Sequence, residues 1–314
     1  MNPGLAGQVR GPQPGAEQGP PPELPQLLLL RQFETALLEL FAQGKVGGTT
    51  HTCLGQEIAP VLVSANLAEA DFVFSNHRGH GHYLARYGDV HGLLAEILGR
   101  EGAPCNGVGG SQHIYRPGYM STGVQGASLP IALGVAASLK WDGSSAIACA
   151  YIGDGTFGEG TVYEALNLAS LWQVPLLVVV ENNGIAQSTP TTAHMAGTVA
   201  ARAAAFGVRY SCVQSTDIGT ARELVARTVA SVRDEQCPSV IEFLAPRLGP
   251  HSKGDDTRPA HIMQAAHEAD WAPVFESWWP DAFRAAARRQ ELAVKNAVGD
   301  VLDRPLSQWA VPLA

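Results

Sequence analysis

The sequence predicts an α/β fold, a parallel β-sheet with helices on both faces, followed by a helical C-terminal extension. Continuous apolar runs in the middle of the chain alternate with segments whose apolar residues recur at helical spacing. Strands that are apolar on both faces are typical of parallel sheets, which helices cover on both sides. The runs that we expect to be strands are AIACAYIG, PLLVVVENN, VRYSCVQST and PSVIEFLAPR.

The N-terminal part begins with a segment that is not expected to pack. Residues 1–25 are rich in Pro, Gly and Gln and lack the apolar core of a signal peptide, so we expect a disordered leader. A helix is predicted from Leu27 to Gln43, with Gly44 as its stop signal. Two further helical runs, IAPVLVSANLA and VHGLLAEILGR, flank a short strand in DFVFS that leads into a polar segment with three histidines.

A long glycine-rich segment, EGAPCNGVGGSQHIYRPGYMSTGVQGASLP, is predicted to be irregular. Loops of that length inside a compact domain tend to carry function. The helix ASLPIALGVAASLKW follows it, and its small residues suit close packing. From about Asp270 the chain is predicted to be helical, with tryptophans for packing or subunit contact. The expected organisation is therefore a leader (1–25), an α/β domain (26–270) and a helical segment (271–314), the tryptophans being Trp271, Trp278, Trp279 and Trp309.

Composition excludes several classes of protein. The net charge of −8, without a basic cluster, disfavours nucleic-acid binding, which needs grouped Lys and Arg. Five scattered cysteines show no metal-ligand spacing, so zinc and a disulfide framework are not expected and a reducing cytoplasm fits best. The longest apolar runs are well below the roughly 18 residues of a membrane span, so no membrane contact is expected.

The stretch YIGDGTFGEG and the later ENNG carry the candidate chemistry. Asp154 follows one predicted strand and Asn183 ends the next, 29 residues later, which is about the length of a βαβ unit. Right-handed crossover places both residues at the carboxyl edge of the sheet, where open α/β folds bind ligands. A carboxylate and an amide oxygen are ligands that suit Mg²⁺. Gly153 and Gly155 would let the backbone turn and approach a phosphate closely.

Other interpretations of the glycine-rich stretch are less specific. Taken alone, GDG is consistent with a simple strand-to-helix turn. The chain has no GxxxxGK[ST] sequence, which excludes a P-loop nucleotide site, and no GxGxxG after a first strand, which makes a dinucleotide site a poor match. The combination of GDG with ENNG at this spacing therefore favours a magnesium and phosphate site.

The same residues identify a family. GDG with NN about thirty residues on resembles the thiamine diphosphate motif, and the chain from about Leu54 to Arg258 resembles the alpha subunit of the first component of 2-oxo acid dehydrogenase complexes, a group that includes pyruvate, branched-chain 2-oxo acid and acetoin dehydrogenases. A thiamine diphosphate-binding fold is implied. The blocks that carry the resemblance, in the family's order, are LGQE, FSNHRGHGHYLA, GGSQH, TGVQGASLPIALGVA, GDGTFGEGTVYEALNLA, ENNGIAQSTPT and PRLGPHSKGDDTR.

The resemblance implies a metal site and a diphosphate site. Asp154 and Asn183 would bind Mg²⁺ through their side chains and Ile185 through its backbone carbonyl. Gly153, Gly155 and Thr156 belong to the block that would lie against the diphosphate, and Arg78 would pair with the diphosphate oxygens, which suits its forked donors. The family pattern thus implies these roles for Asp154, Asn183, Ile185, Gly153, Gly155, Thr156 and Arg78.

The resemblance also implies which residues contact the aminopyrimidine end of the cofactor and which residue is catalytic. Backbone groups of Gly123 and Gln125 would contact the aminopyrimidine ring. His251 matches the family's active-site histidine, on a loop that closes over the cofactor, and it is the expected catalytic and cofactor-binding side chain. His77 stands where the family often has tyrosine, and Gly249 stands where many members have a second histidine.

A partner is implied as well. In the family, the glutamate that activates the aminopyrimidine comes from a separate beta subunit, so the chain is expected to act in a heterotetramer, with the cofactor at the subunit interface. The reaction implied is decarboxylation of a 2-oxo acid and transfer of the acyl group to a lipoyl carrier. An alternative is a transketolase-like subunit that moves a hydroxyacetyl unit from a ketose phosphate to a carrier protein, with the histidines of NHRGHGH binding hydroxyls. A subunit that only scaffolds a complex is a third possibility.

Overall fold

A computed structural model describes residues 19–214, 216–252, 254 and 256–309. Most of the leader predicted at 1–25 lies outside these residues. The first described helix begins at Leu24, two residues before the predicted domain boundary, and it ends at Ala42. It thus covers the predicted helix of Leu27–Gln43 almost completely.

The elements are as follows. The helices are α1 (Leu24–Ala42), α2 (Ile58–Ser64), α3 (His80–Tyr87), α4 (Val90–Leu98), α5 (Ser128–Trp141), α6 (Gly160–Trp172), α7 (Thr191–His194), α8 (Val199–Ala205), α9 (Ile218–Glu235), α10 (Ala260–Glu268), α11 (Trp271–Trp278) and α12 (Pro280–Leu302). The strands are β1 (Phe72–Ser75), β2 (Tyr115–Arg116), β3 (Tyr119–Ser121), β4 (Ala148–Gly153), β5 (Leu176–Asn182), β6 (Ile185–Ala186), β7 (Thr189–Pro190), β8 (Arg209–Val213) and β9 (Ser239–Leu244).

The central sheet is mostly parallel, which confirms the predicted fold class. Its strand order is β2-β3-β1-β4-β5-β9-β8, and β6 pairs separately with β7. All neighbours in the sheet are parallel except β2 and β3. Adjacent β4 and β5 run in register, with Gly153 opposite Glu181, so their carboxyl ends meet at one edge.

Both faces of the sheet are buried, as the continuous apolar runs indicated. Alternate residues of β4 enter two different cores: Cys149 and Tyr151 pack with α1, α4, α9 and α12, whereas Ala150 and Ile152 pack with α5 and α6. The residues of β5 also alternate between these two cores. A strand with helices on both sides needs an apolar residue at every position, which is why these strands lack polar alternation.

Two parts of the chain differ from the sequence prediction. The glycine-rich segment expected to be irregular contains β2 and β3, and β3 is a parallel neighbour of β1, with Val73 opposite Tyr119. The polar segment after β1 folds into α3, with His80 and His82 buried. Histidine-rich helices are hard to recognise from apolar spacing, and these histidines are buried because each contacts a buried carboxylate.

The C-terminal segment is helical, and α12 packs along α1 and α4. Trp271 is 1% exposed and packs in the core, while Trp309 is 62% exposed. Packing is therefore the role of Trp271 but not of Trp309. Within the described residues, no helix has both the length and the apolar character needed to cross a membrane.

Candidate cofactor site

A cavity of about 330 Å³ lies at the carboxyl ends of β4 and β5. Every site residue proposed from the sequence lines it, although those residues come from five separate segments of the chain. Those residues are Arg78, Gly123, Gln125, Gly153, Asp154, Gly155, Thr156, Asn183, Ile185 and His251.

Asp154 provides a buried carboxylate immediately after β4. It is 1% exposed, Thr191 Oγ1 donates a hydrogen bond to its Oδ2, and the backbone N–H of Asn183 lies 3.4 Å from its Oδ1. Burial raises the pKa of Asp154, and the bonds from Thr191 and Asn183 oppose that shift. Burial disfavours the charged form of this carboxylate, and a bound cation would stabilise that form.

Two further oxygens face the same region. Asn183 Nδ2 donates to Gln56 Oε1 at 3.3 Å, and Asn183 Oδ1 accepts from the N–H of Ile185 at 3.2 Å. In the β6–β7 hairpin Ile185 lies opposite Pro190, and the N–H of Thr191 donates to the carbonyl of Gly184 at 3.0 Å. Ile185 and Pro190 therefore form a non-hydrogen-bonded pair, in which the carbonyl of Ile185 points away from the partner strand, on the side where its N–H meets Asn183.

The glycines of the GDG stretch differ in what surrounds them. A methyl group on Gly155 would lie 2.6 Å from Cβ of Ala186, so the close approach of these two segments requires glycine. A methyl group on Gly153 would meet no described atom within 4 Å, and Gly153 lines the cavity. Beyond them, Thr156 Oγ1 donates to Gln125 Oε1 at 2.8 Å, which joins the GDG turn to the aminopyrimidine end proposed from the sequence.

Arg78 places a buried positive charge in the cavity wall. It is 4% exposed, and its Nη1 donates to the carbonyl of Thr52 at 2.6 Å. Burial lowers the pKa of Arg78, while the nearby carboxylate of Glu181 opposes the shift. A guanidinium presents five N–H donors in a fork that matches phosphate oxygens.

Three histidines meet at another part of the cavity. One nitrogen of each of His51, His77 and His251 lies within 4.8 Å of the other two. Gln125 Nε2 lies 2.8 Å from His77 Nδ1. Burial, followed by the charge of Arg78 and the neighbouring histidines, holds the pKa of His77 well below its usual range. His77 is therefore held as a neutral imidazole near neutral pH.

Several cavity residues were not singled out from the sequence. Gln56 belongs to the quoted LGQE block, and its contact with Asn183 spans 127 positions, which no local pattern shows. His51 lies in the loop before that block. Glu57, the last residue of the same block, bonds to Arg31 and Trp271 and does not line the cavity. The other lining residues missed from sequence are Asn76, Gln112, Glu159, Glu181, Ala186, Gln187 and Arg247.

Known proteins resemble the chain over most of its length. The family model described as dehydrogenase E1 component matches residues 26–272. The acetoin:2,6-dichlorophenolindophenol oxidoreductase alpha subunits of Cupriavidus necator and Bacillus subtilis are each 36% identical to it, over 245 and 250 residues, covering 77% and 76% of this chain and 72% and 75% of those proteins. The pyruvate dehydrogenase E1 component alpha subunit of Rhizobium meliloti is 33% identical over 237 residues, covering 74% and 68%. The chain belongs to the dehydrogenase E1 component family.

Proposed function

We propose that the chain is the alpha subunit of a thiamine diphosphate- and Mg²⁺-dependent enzyme that decarboxylates a 2-oxo acid and passes the acyl group to a lipoyl carrier. The observation that carries the proposal is one cavity in which the buried carboxylate of Asp154 and the buried guanidinium of Arg78 lie with the oxygens of Asn183 and Ile185. Its relatives are named as alpha subunits of pyruvate dehydrogenase and of an acetoin oxidoreductase.

The residues fit a magnesium diphosphate. Mg²⁺ takes oxygen ligands, commonly one carboxylate together with substrate phosphate oxygens, and Asp154, Asn183 and Ile185 offer one charged and two neutral oxygens. Arg78 would pair with the diphosphate oxygens that the metal does not hold. The open space beside Gly153 is the room that a phosphate needs against the backbone.

Different residues of the chain would bind the two ends of the cofactor. Bound thiamine diphosphate supplies an acidic thiazolium C–H and takes up the electron pair that decarboxylation releases. Asp154 and Arg78 would hold the diphosphate end, and the backbone groups of Gly123 and Gln125 would orient the ring end. His251 would exchange a proton with the substrate oxygen, for which a histidine is suited near neutral pH.

The proposal includes a beta-type partner. The exposed Val124 (63%) lies between Gly123 and Gln125 at the proposed ring end, and Val108 (67%) and Tyr115 (66%) are exposed in the preceding glycine-rich segment. Exposed apolar side chains of this kind are available for contact with a partner chain. A beta subunit bound there would bring the activating glutamate to the aminopyrimidine, and two copies of each chain would form a heterotetramer.

The test is reconstitution with a beta-type subunit. With pyruvate as donor and 2,6-dichlorophenolindophenol as electron acceptor, we expect dye reduction when both chains, thiamine diphosphate and Mg²⁺ are present, and not when any one is omitted. Addition of a lipoyl domain should yield an acylated domain. Asp154→Ala should lower the rate at least about 100-fold, since it removes the charged metal ligand. Full activity of that variant, or of the chain without its partner, would exclude the proposal.

The transketolase-like alternative receives less support from the geometry. Of the three histidines that were candidates to bind sugar hydroxyls, His77 lines the cavity. His80 and His82 contact Glu34 and Glu181 at 3.0 and 3.3 Å and do not line it. They are hydrogen-bonding partners inside the fold. Replacing pyruvate with a ketose phosphate in the same assay separates the two functions, and we expect no turnover of the sugar.

A further inference from the structure

The anchoring of Arg78 depends on one peptide group. Arg78 Nη1 donates to the carbonyl oxygen of Thr52 at 2.6 Å. The N–H at the other end of the same peptide group, that of Cys53, donates to Oε1 of Glu34 at 2.8 Å. Because the N–H and C=O of a trans peptide point in opposite directions, the carboxylate and the guanidinium lie at the two ends of one peptide plane.

Glu34 reaches Arg78 by a second route. It lies on α1, is fully buried, and its Oε2 and Oε1 lie 3.0 and 3.1 Å from Nδ1 of His80. His80 is the first residue of α3, two positions after Arg78. The carboxylate therefore fixes both the peptide that accepts the guanidinium and the helix start that follows it.

We propose that Glu34 is a positioning residue for the diphosphate end of the cofactor, acting on Arg78 through the peptide group of Thr52 and Cys53; this inference rests on the proposed function. A carboxylate at the N–H end polarises the peptide group and strengthens the hydrogen bond at its carbonyl end, because hydrogen bonds in a chain reinforce one another. Fully buried glutamates are rare unless paired. The two partners of Glu34 are the N–H of Cys53, whose peptide group binds Arg78, and His80, which lies two positions after Arg78.

The negative charge of Glu34 also helps to keep Arg78 protonated. The desolvated guanidinium must stay charged to bind a diphosphate, and burial lowers its pKa. The carboxylates of Glu181 and Glu34 oppose that shift. Glu34 does so from outside the cavity, since it does not line the site, and it therefore stabilises the cation without repelling the bound anion at close range.

The test is a double-mutant cycle on the complex of the chain with its beta-type partner. Thiamine diphosphate is titrated calorimetrically, in the presence of MgCl₂, into the wild type, Glu34→Gln, Arg78→Lys and the double variant. Gln can still accept from Cys53 but carries no charge, and a hydrogen bond to a charged group is worth about twice a neutral one. We expect about tenfold weaker binding by Glu34→Gln, and a double variant no more than about twofold weaker than Arg78→Lys alone.

Asp71→Asn is the control, because Asp71 is also fully buried and bonds to a backbone N–H and to Arg233, outside the cavity. It should lower the thermal midpoint and leave the affinity unchanged. If Glu34→Gln does not fold, Glu34→Asp keeps the charge, shortens the reach and should still weaken binding. Wild-type affinity in a folded Glu34 variant, or additive effects in the cycle, overturns the inference alone. Failure of the wild-type complex to bind the cofactor overturns the proposed function itself.

Discussion

Gly153 and Gly155 are separated by one residue, and their alanine variants should separate cofactor binding from folding. A methyl group on Gly153 would meet no described atom within 4 Å, so the fold does not resist it. Glycine within a strand costs roughly 0.5–1 kcal/mol relative to alanine. We therefore expect Gly153→Ala, without cofactor, to keep or slightly raise its free energy of unfolding. In the cavity, however, the methyl group takes up space that we assign to the diphosphate.

Gly155→Ala should behave in the opposite way. Its Cβ would lie 2.6 Å from Cβ of Ala186, about 1 Å inside an ordinary contact of roughly 3.5–4.0 Å. Overpacking of this kind costs about 1–3 kcal/mol. The second change Ala186→Gly removes the clash and should restore most of the loss.

Urea unfolding of the cofactor-free variants gives the stabilities, and calorimetric titration of thiamine diphosphate with Mg²⁺ into the complex with a beta subunit gives the affinities. For Gly153→Ala we expect an unchanged or slightly higher free energy of unfolding and an affinity at least about tenfold lower, as an overpacked methyl group implies. Wild-type affinity in that variant would show that no phosphate lies against Gly153. Full stability of Gly155→Ala would show that the contact with Ala186 does not exist in solution.

Three further predictions concern charge. In EDTA at pH 7, Asp154→Asn should unfold at a higher temperature than the wild type, because burial raises the pKa of Asp154 and penalises its charge, yet it should lose Mg²⁺-dependent cofactor binding. The pKa of His77 is lowered in the folded state, so the wild type should lose stability as pH falls below about 6.5, and His77→Asn should lose less in thermal melts from pH 7.5 to 5.5. Arg31→Met should cost about 3–5 kcal/mol in urea unfolding, since it leaves the buried carboxylates of Glu57 and Asp270 without their shared cation.

Each of these predictions has a contradicting outcome. A lower melting temperature for Asp154→Asn in EDTA would mean that its carboxylate is satisfied without a metal. Parallel pH profiles for the wild type and His77→Asn would place the acid sensitivity elsewhere. A loss below about 1 kcal/mol for Arg31→Met would show that the Arg31 network behaves as a surface ion pair.

The main strands and the convergence of Asp154 and Asn183 could be predicted from the sequence because their signals are local. The strands β4 and β5 begin as continuous apolar runs, and one βαβ unit suffices to bring Asp154 and Asn183 to the same edge of the sheet. The rest of the cavity depends on contacts between distant segments. Thr191, for example, reaches Asp154 across 37 positions, and Gln56 reaches Asn183 across 127. No spacing rule reports such pairs.

Other features were missed because polar residues occupy buried positions. The helix α3 begins in a segment of histidines whose burial depends on carboxylates from α1 and β5. The sequence nevertheless contained one indication of a buried polar contact. Glu34 lies on the apolar face of α1, three residues before Leu37 and four after Leu30, where a charge is expected only if it has a buried partner.

The most direct test is the position of the metal. Crystals of the complex with a beta-type subunit, grown with thiamine diphosphate and Mn²⁺ in place of Mg²⁺, allow the ion to be located by its anomalous signal. We predict one peak in the cavity, bound by the side chains of Asp154 and Asn183, the carbonyl of Ile185 and two diphosphate oxygens. A peak at His51, His77 and His251 instead, or bound cofactor without an ion at Asp154, would contradict the account.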